Sequence, residues 1–237
     1  MFIKTILLPF VIAFIATKWI FPKALNIALV KNIVDNPNAR KLQRTPVPIL
    51  GGLTIFFGMT MGIASAIMQG DYVDIFPVLV SMILILIIGT IDDIIDLTPS
   101  FRFLIEIMIV LVLIFSSGAS LNDFHGLWGF WEVPMWFSLM LTIVAAVGMI
   151  NAINLIDGVD GLSSGFCIMA SSLFGIMFYF AGNGSMLVLA AVAIGALIPF
   201  FFHNVFGRTS KMFIGDGGTL LMGIILSTFV IRTLTHG

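Results

Sequence analysis

Apolar residues fill eight runs along the chain, at roughly 2–21, 47–69, 75–91, 103–119, 134–151, 163–181, 185–202 and 217–231. A helix needs about 20 apolar residues to cross a bilayer, and each run approaches that length. Stretches such as Val78–Ile88 are apolar but for Ser81, so they lack the alternating polar positions of a barrel strand. Only helices and closed barrels satisfy their backbone groups in lipid. The pattern predicts an all-α, polytopic membrane helix bundle of about eight transmembrane helices. The first run, residues 2–16, has the look of a signal peptide. It is followed by Lys18, Trp19 and Phe21 rather than by a small-residue cleavage site, which predicts a retained first helix.

Composition agrees. Of 237 residues, 59% are hydrophobic and 10% are charged, against about 25% charged in a soluble domain. Cys167 is the single cysteine, so no internal disulfide can form and a packed thiol is expected. The net charge of −1 selects no partner, and no nucleic acid is expected as one.

The eleven basic residues test the helix count. If the chain crosses at every predicted helix, nine fall on one side: Lys18, Lys23, Lys31, Arg40, Lys41, Arg44, Arg102, Arg208 and Lys211. Lys4 and Arg232 fall on the other. The excess of Lys and Arg marks the nine-residue side as cytoplasmic. Both ends of the chain then lie outside. The opposite loops carry no basic residue, and the aromatic one at Leu121–Pro134 suits an interfacial belt. His125 in that loop reads as an exposed histidine.

Polar side chains interrupt the apolar pattern at three places, all at predicted cytoplasmic helix ends. Asp92-Asp93 and Asp96 close the third helix, where their charge opposes the helix dipole. A cation or a cationic residue is expected beside them. Arg102 is one candidate, with Glu106 a turn further on. Asn151, Asn154, Asp157 and Asp160 recur every third residue after a long apolar run. That spacing keeps them near one face of a helix, and Gly158 and Gly161 follow the two aspartates. Gly215-Asp216-Gly217-Gly218 opens the eighth helix. Asp216 there reads either as an N-cap or as part of a phosphate-approach site at a helix N-terminus, with Arg208 and Lys211 nearby. His203 reads as interfacial. A fourth segment, Asp35–Gly52, is basic and rich in Pro and Gly. Its prolines favour an extended backbone before the second helix, and Gly51-Gly52 permits close helix packing.

The three motifs hold six aspartates, half of the acidic residues in the chain. Hard oxygen ligands suit Mg²⁺ or Mn²⁺, usually held by one or two carboxylates plus substrate phosphates. Carboxylates, Arg and Lys together suit phosphoryl transfer, in which positioning and charge stabilisation do most of the work. A site at the membrane surface suits one lipid-borne and one soluble reactant. A cation transporter would instead place its acids near the bilayer midplane.

These residues resemble the polyprenyl-phosphate N-acetylhexosamine-1-phosphate transferase family, glycosyltransferase family 4. Asp92-Asp93 with Asp96 matches its paired-Asp motif. Asn151–Leu162 matches its Asn-x-x-Asn-x-x-Asp-Gly-x-Asp-Gly-Leu motif. Phe213–Gly218 matches its Phe-Met-Gly-Asp-x-Gly motif, and Asp35–Gly52 matches its basic segment, with Gln43 where many members have His. The branch most similar in these motifs is the bacterial one that transfers GlcNAc-1-phosphate to undecaprenyl phosphate and starts O-antigen and enterobacterial common antigen synthesis.

The resemblance implies a single transmembrane glycosyl-1-phosphate transferase domain over 1–237, in the bacterial inner membrane, with membrane lipids around it. UDP-GlcNAc and undecaprenyl phosphate are the implied partners, Mg²⁺ or Mn²⁺ the cofactor, and a homo-oligomer is an open expectation. Asp216 and Asn154 would hold the metal. Asp160 would contact uracil and Phe213 would stack on it. Asn151, Arg102 and Lys211 would contact substrate, and Asp157 would shape the turn or meet the sugar. Asp92 and Asp93 would position or deprotonate the lipid phosphate. A phosphate monoester loses its second proton near pH 6, which favours positioning over base catalysis. Members of this branch run to about eleven helices, with a His-rich loop after the eighth. The sequence ends at His236-Gly237 and is therefore expected to be the N-terminal two thirds of the family fold. An inactive remnant that only binds membrane or lipid is the alternative reading.

Overall fold

The computed structural model describes residues 3–37, 45–70, 72–124, 126, 129, 131–207 and 211–235. Arg40, Lys41, Gln43, Arg44, His125, Arg208 and His236, named above, lie outside the described residues. The α-helices are α1 (Leu8–Val30), α2 (Gly51–Ile67), α3 (Phe76–Ile95), α4 (Pro99–Ser117), α5 (Met135–Leu155), α6 (Leu162–Phe180), α7 (Gly184–Phe206) and α8 (Gly215–Thr235). Two short strands, β1 (Val34–Asp35) and β2 (Val47–Pro48), pair antiparallel, with Val34 opposite Pro48.

The apolar runs and the helices correspond one to one; α3, α5, α7 and α8 run four residues further than expected and α4 starts four earlier, and two further boundary differences have a clear cause. α1 continues through Pro22 to Val30, past the expected end at residue 21. Its far half stays helical because Phe21, Ala24 and Ala28 are buried against the bundle, which outweighs the one hydrogen bond Pro22 cannot make. α2 begins at Gly51 rather than 47, because Pro46 and Pro48 hold the residues before them extended and β2 forms instead.

Seven helices among the described residues are long and apolar enough to cross a membrane, and α2 is a shorter apolar helix. The outward face is apolar too: Leu104, Met108, Val112 and Phe115 form an exposed stripe along α4. Lipid tolerates such a stripe and water does not. The chain is a multi-pass membrane protein.

At the centre stands α8, buried at every residue from Gly217 to Phe229. It packs on α3 and α5, and also on α2 and α6. Its N-terminal turn is gripped by backbone. A Cβ on Gly89 of α3 would sit 2.5 Å from Gly217 Cα, and Gly52 of α2 meets the Gly218 backbone just as closely. Gly51 N and Gly52 N donate to Phe213 O and Ile214 O at 3.0 and 2.7 Å, and Phe213 N donates to Pro48 O at 2.8 Å. The Pro/Gly segment thus fixes the strand of chain that delivers Asp216.

Candidate active site

Three helix ends meet beside the start of α8. At the C-terminal end of α3, Asp92 and Asp93 point in different directions. Asp92 Oδ1 accepts from Leu97 N at 2.8 Å, and its Oδ2 accepts from Arg102 Nη1 at 2.9 Å. Asp93 instead reaches across to α8. Its two oxygens accept from Asp216 N at 2.8 Å and Gly217 N at 3.1 Å. Asp93 therefore caps α8 from another helix, satisfying N–H groups with no partner within their own helix. Asp216 lies in the first turn of α8 and is not its N-cap. Asp96 ends α3 in the left-handed conformation, φ 49°, which aspartate tolerates better than most residues.

The Asp216 carboxylate accepts from Asn154 Nδ2 at 2.7 Å and lies 3.4 Å from Arg102 Nη1. The same Asn154 amide donates to Thr219 Oγ1 at 2.9 Å. Arg102 also donates to Asn151 Oδ1 at 3.3 Å. Arg102 thus touches three of the residues expected in the site.

The ladder of Asn151, Asn154, Asp157 and Asp160 does not run along one helix. α5 ends at Leu155, and the two aspartates lie in the turn that precedes α6. Gly161, at φ 75°, supplies the left-handed step that reverses the chain. Gly161 N donates to Asn204 Oδ1 at 2.7 Å, and Asn204 Nδ2 donates to Met212 O at 3.0 Å. Asn204 thereby ties the turn to the segment carrying Phe213. Asp157 Oδ1 accepts from Ser163 Oγ at 2.5 Å. Burial, with Asp216 and Asp160 adding repulsion, pushes the Asp157 carboxyl from 3.8 up to about 6, although the Ser163 bond opposes the shift. Asp160 pairs with Lys211, whose Nζ lies 5.7 Å from the centre of the Phe213 ring.

These groups surround one cavity of about 710 Å³. Asp92, Asp93, Asp96, Asp157, Asp160, Lys211, Phe213 and Asp216 line it, together with Asp35 of β1. Arg102, Asn151 and Asn154 stand behind the lining and bond to it or to one another. His203 lies apart, stacked on Phe21 with ring centres 4.2 Å apart.

The charge of the lining suits a divalent cation. Seven aspartates face one cavity with one lysine on its described wall. Among the described residues no three of His, Cys, Asp and Glu gather as a ready-made ligand set. Mg²⁺ does not need one, because it takes one or two carboxylates and completes its shell with water and phosphate oxygens.

The profile of glycosyl transferase family 4 matches residues 75–234. The chain belongs to glycosyl transferase family 4. That match spans α3 to α8, and so every candidate residue except Asp35. Among relatives of this family-4 chain, a probable undecaprenyl-phosphate N-acetylglucosaminyl 1-phosphate transferase of Bacillus subtilis (strain 168) is 30% identical over 232 residues, covering 94% of this chain and 61% of the relative. An undecaprenyl-phosphate alpha-N-acetylglucosaminyl 1-phosphate transferase of Yersinia pestis is 27% identical over 217 residues, covering 90% and 59%. The protein of that name in Escherichia coli (strain K12) is 29% identical, covering 89% and 58%. The chain spans about three fifths of the length of the curated relatives it matches.

The parts that three residues play in this family-4 site escape a reading by sequence motif. Asp35 enters the cavity only because β1 pairs with β2. Asn204 acts through main-chain contacts that no motif signals. Glu106 is spaced one turn from Arg102, which signals their ion pair, but nothing in the spacing signals its bond to Asn151 at 2.5 Å.

Proposed function

We propose that this chain carries the transfer of GlcNAc-1-phosphate from UDP-GlcNAc to undecaprenyl phosphate, giving undecaprenyl-diphosphate-GlcNAc and UMP. The observation that carries the reading is the acidic cavity of about 710 Å³ at the converging ends of membrane helices, with Lys211 on its wall and Arg102 directly behind Asp92 and Asp216. A lipid-borne acceptor reaches such a site from the bilayer, and a soluble nucleotide reaches it from water. An oxygen of the lipid phosphate attacks the β-phosphorus of the nucleotide sugar. The bond from that phosphorus to the UMP oxygen breaks, and UMP leaves with the electron pair.

Each residue has a duty in this scheme. Asp160 and Phe213 take the uracil, and Lys211, between them, meets phosphate when its pair with Asp160 opens. Asp216 and Asn154 would hold Mg²⁺ or Mn²⁺, which neutralises charge on the diphosphate. Arg102 Nη1 adds positive charge beside Asp216, where leaving-group charge develops. Asn151 braces Arg102. Asp157 faces the sugar side. Asp92 and Asp93 act as organisers, because each already serves a bond within the fold, to Arg102 and to the start of α8. A lipid phosphate that is dianionic near neutral pH needs no base.

The site is assigned to the cytoplasmic face of the bacterial inner membrane with the N-terminus outside, on the strength of the excess of Lys and Arg that the sequence sorts to that side, of which Lys18 and Lys23 lie within the longer α1. The step would open O-antigen, enterobacterial common antigen or a related cell-envelope polysaccharide. The test uses the purified chain in detergent with radiolabelled UDP-GlcNAc, undecaprenyl phosphate and Mg²⁺. Labelled lipid and stoichiometric UMP are expected, and both should vanish with a chelator. Folded protein that binds UDP-GlcNAc but labels no lipid would overturn the reading.

A further inference from the structure

Glu106 is fully buried in α4 and does not line the cavity. A buried carboxylate is costly unless it is paired and hydrogen-bonded, so its partners are informative. Its Oε2 accepts from Asn151 Nδ2 at 2.5 Å. Its Oε1 lies 3.4 Å from Arg102 Nε, an ion pair without a hydrogen bond. Asn151 completes a ring by accepting from Arg102 Nη2 at 3.3 Å.

A guanidinium is a rigid plane with donors at fixed angles. Two of its three nitrogens, Nε and Nη2, face Glu106 and Asn151. That leaves Nη1 as the corner turned toward Asp92 at 2.9 Å and Asp216 at 3.4 Å. The orientation of the plane is therefore set from behind, by the buried Glu106 and the half-buried Asn151. An arginine held only by Asp92 could turn about that one contact.

We infer that Glu106 is a positioning residue: with Asn151 it fixes the Arg102 guanidinium so that Nη1 faces the phosphates of a nucleoside diphosphate. The inference rests on the phosphoryl-transfer reading above. Glu106→Gln isolates the role. Its amide oxygen still accepts from Asn151, but its NH₂ then faces Arg102 Nε, donor against donor.

The experiment measures binding of UDP and of uridine, with Mg²⁺, to the purified chain and to Glu106→Gln, Arg102→Gln and the double variant, together with kcat and KM for transfer. Glu106→Gln is expected to weaken UDP binding by about tenfold, the size of effect typical for a group that supports a contact residue, and to leave uridine binding unchanged. The double variant should bind UDP no more weakly than Arg102→Gln, because Glu106 acts through Arg102. Glu106→Asp, which keeps the charge on a shorter arm, should fall between wild type and Glu106→Gln. It also carries the comparison if Glu106→Gln fails to fold. Equal losses for UDP and uridine, or full additivity in the double variant, would reduce Glu106 to a structural role and overturn the inference. Wild-type chain that binds no UDP would overturn the phosphoryl-transfer reading itself, and the inference with it. Wild-type binding of UDP with unchanged affinity in Glu106→Gln would overturn the inference alone.

Discussion

At the α3–α8 end of the cavity the Asp92 side chain is 7% exposed and Glu106, behind it, 0%, with Asp216 at the mouth 36% exposed, whereas at the α5–α6 turn both partners, Asp160 and Lys211, are 37% and 36% exposed. The two ends carry similar residue types and use them differently. In the buried half, Asp92, Asp93, Glu106 and Asp216 are each tied to a backbone N–H or to a second side chain, and the helices around them touch through glycine. Rearrangement there would leave a buried charge unpaired, at a cost of about 3–5 kcal/mol. In the exposed half, the Asp160–Lys211 pair is worth about 0–1 kcal/mol and can open when a ligand arrives. One half is suited to holding charge in a fixed place. The other is suited to exchanging one partner for another.

Thermal unfolding in a single detergent measures how deep that difference goes, and the largest effect belongs to the buried half. Gly89→Ala should lower stability by about 1–3 kcal/mol, the usual cost of overpacking, because its Cβ meets backbone that cannot step aside. A variant as stable as wild type would show that the α3–α8 contact is loose. Asp93→Asn comes next. Loss of one cap acceptor costs about 0.5–2 kcal/mol, and activity should fall by the same factor at every pH. Activity that returns at high pH would make Asp93 a base and sink its assignment as a cap.

Asp157 sharpens the boundary between the halves. Its carboxyl is pushed up to about 6, above its ordinary range. The stability gained from the neutral acid is therefore complete below pH 3.8 and lost as pH rises through about 6. Asp157→Asn mimics the neutral form, so it should unfold about 2–4 °C above wild type at pH 7 and level with it in acid. A variant less stable than wild type at pH 7 would mean that the charge is welcome there. The smallest effect is expected at the open end. Lys211→Met should change stability by less than about 1 kcal/mol while weakening nucleotide binding.

The same contrast explains what the sequence discloses. Eight apolar runs disclosed the helices because a membrane segment needs only length and hydrophobicity. The run at 47–69 mispredicted its start because hydrophobicity alone does not register the two prolines. Asp92, Asp157, Asp160 and Asp216 were legible because carboxylates at greasy helix ends, the last three beside glycine, have no packing reason to be there. Their duties were less so. Asp92 and Asp93 are adjacent in sequence, yet one holds Arg102 and the other caps α8. Only the approach of α8 separates them. The expected helical ladder failed between Asn154 and Asp157 because a regular three-residue spacing persists whether the chain continues as helix or turns at Gly158 and Gly161. Asp35 and Glu106 depend on tertiary pairing, which local patterns do not encode.

The bond from Asp93 to the start of α8 also has a consequence for how the protein is made. Its two ends are 123 residues apart. At a translation rate of about 5–20 residues per second, the carboxylate is synthesised roughly 6–25 s before the N–H groups it will cap. Through that interval it must keep its hydration, because an ion stripped of water with no partner is prohibitively costly in hydrocarbon. The end of α3 is thus anchored at the water interface while α4 to α7 insert, and α8, made after them, locks into a partner already waiting at the correct depth.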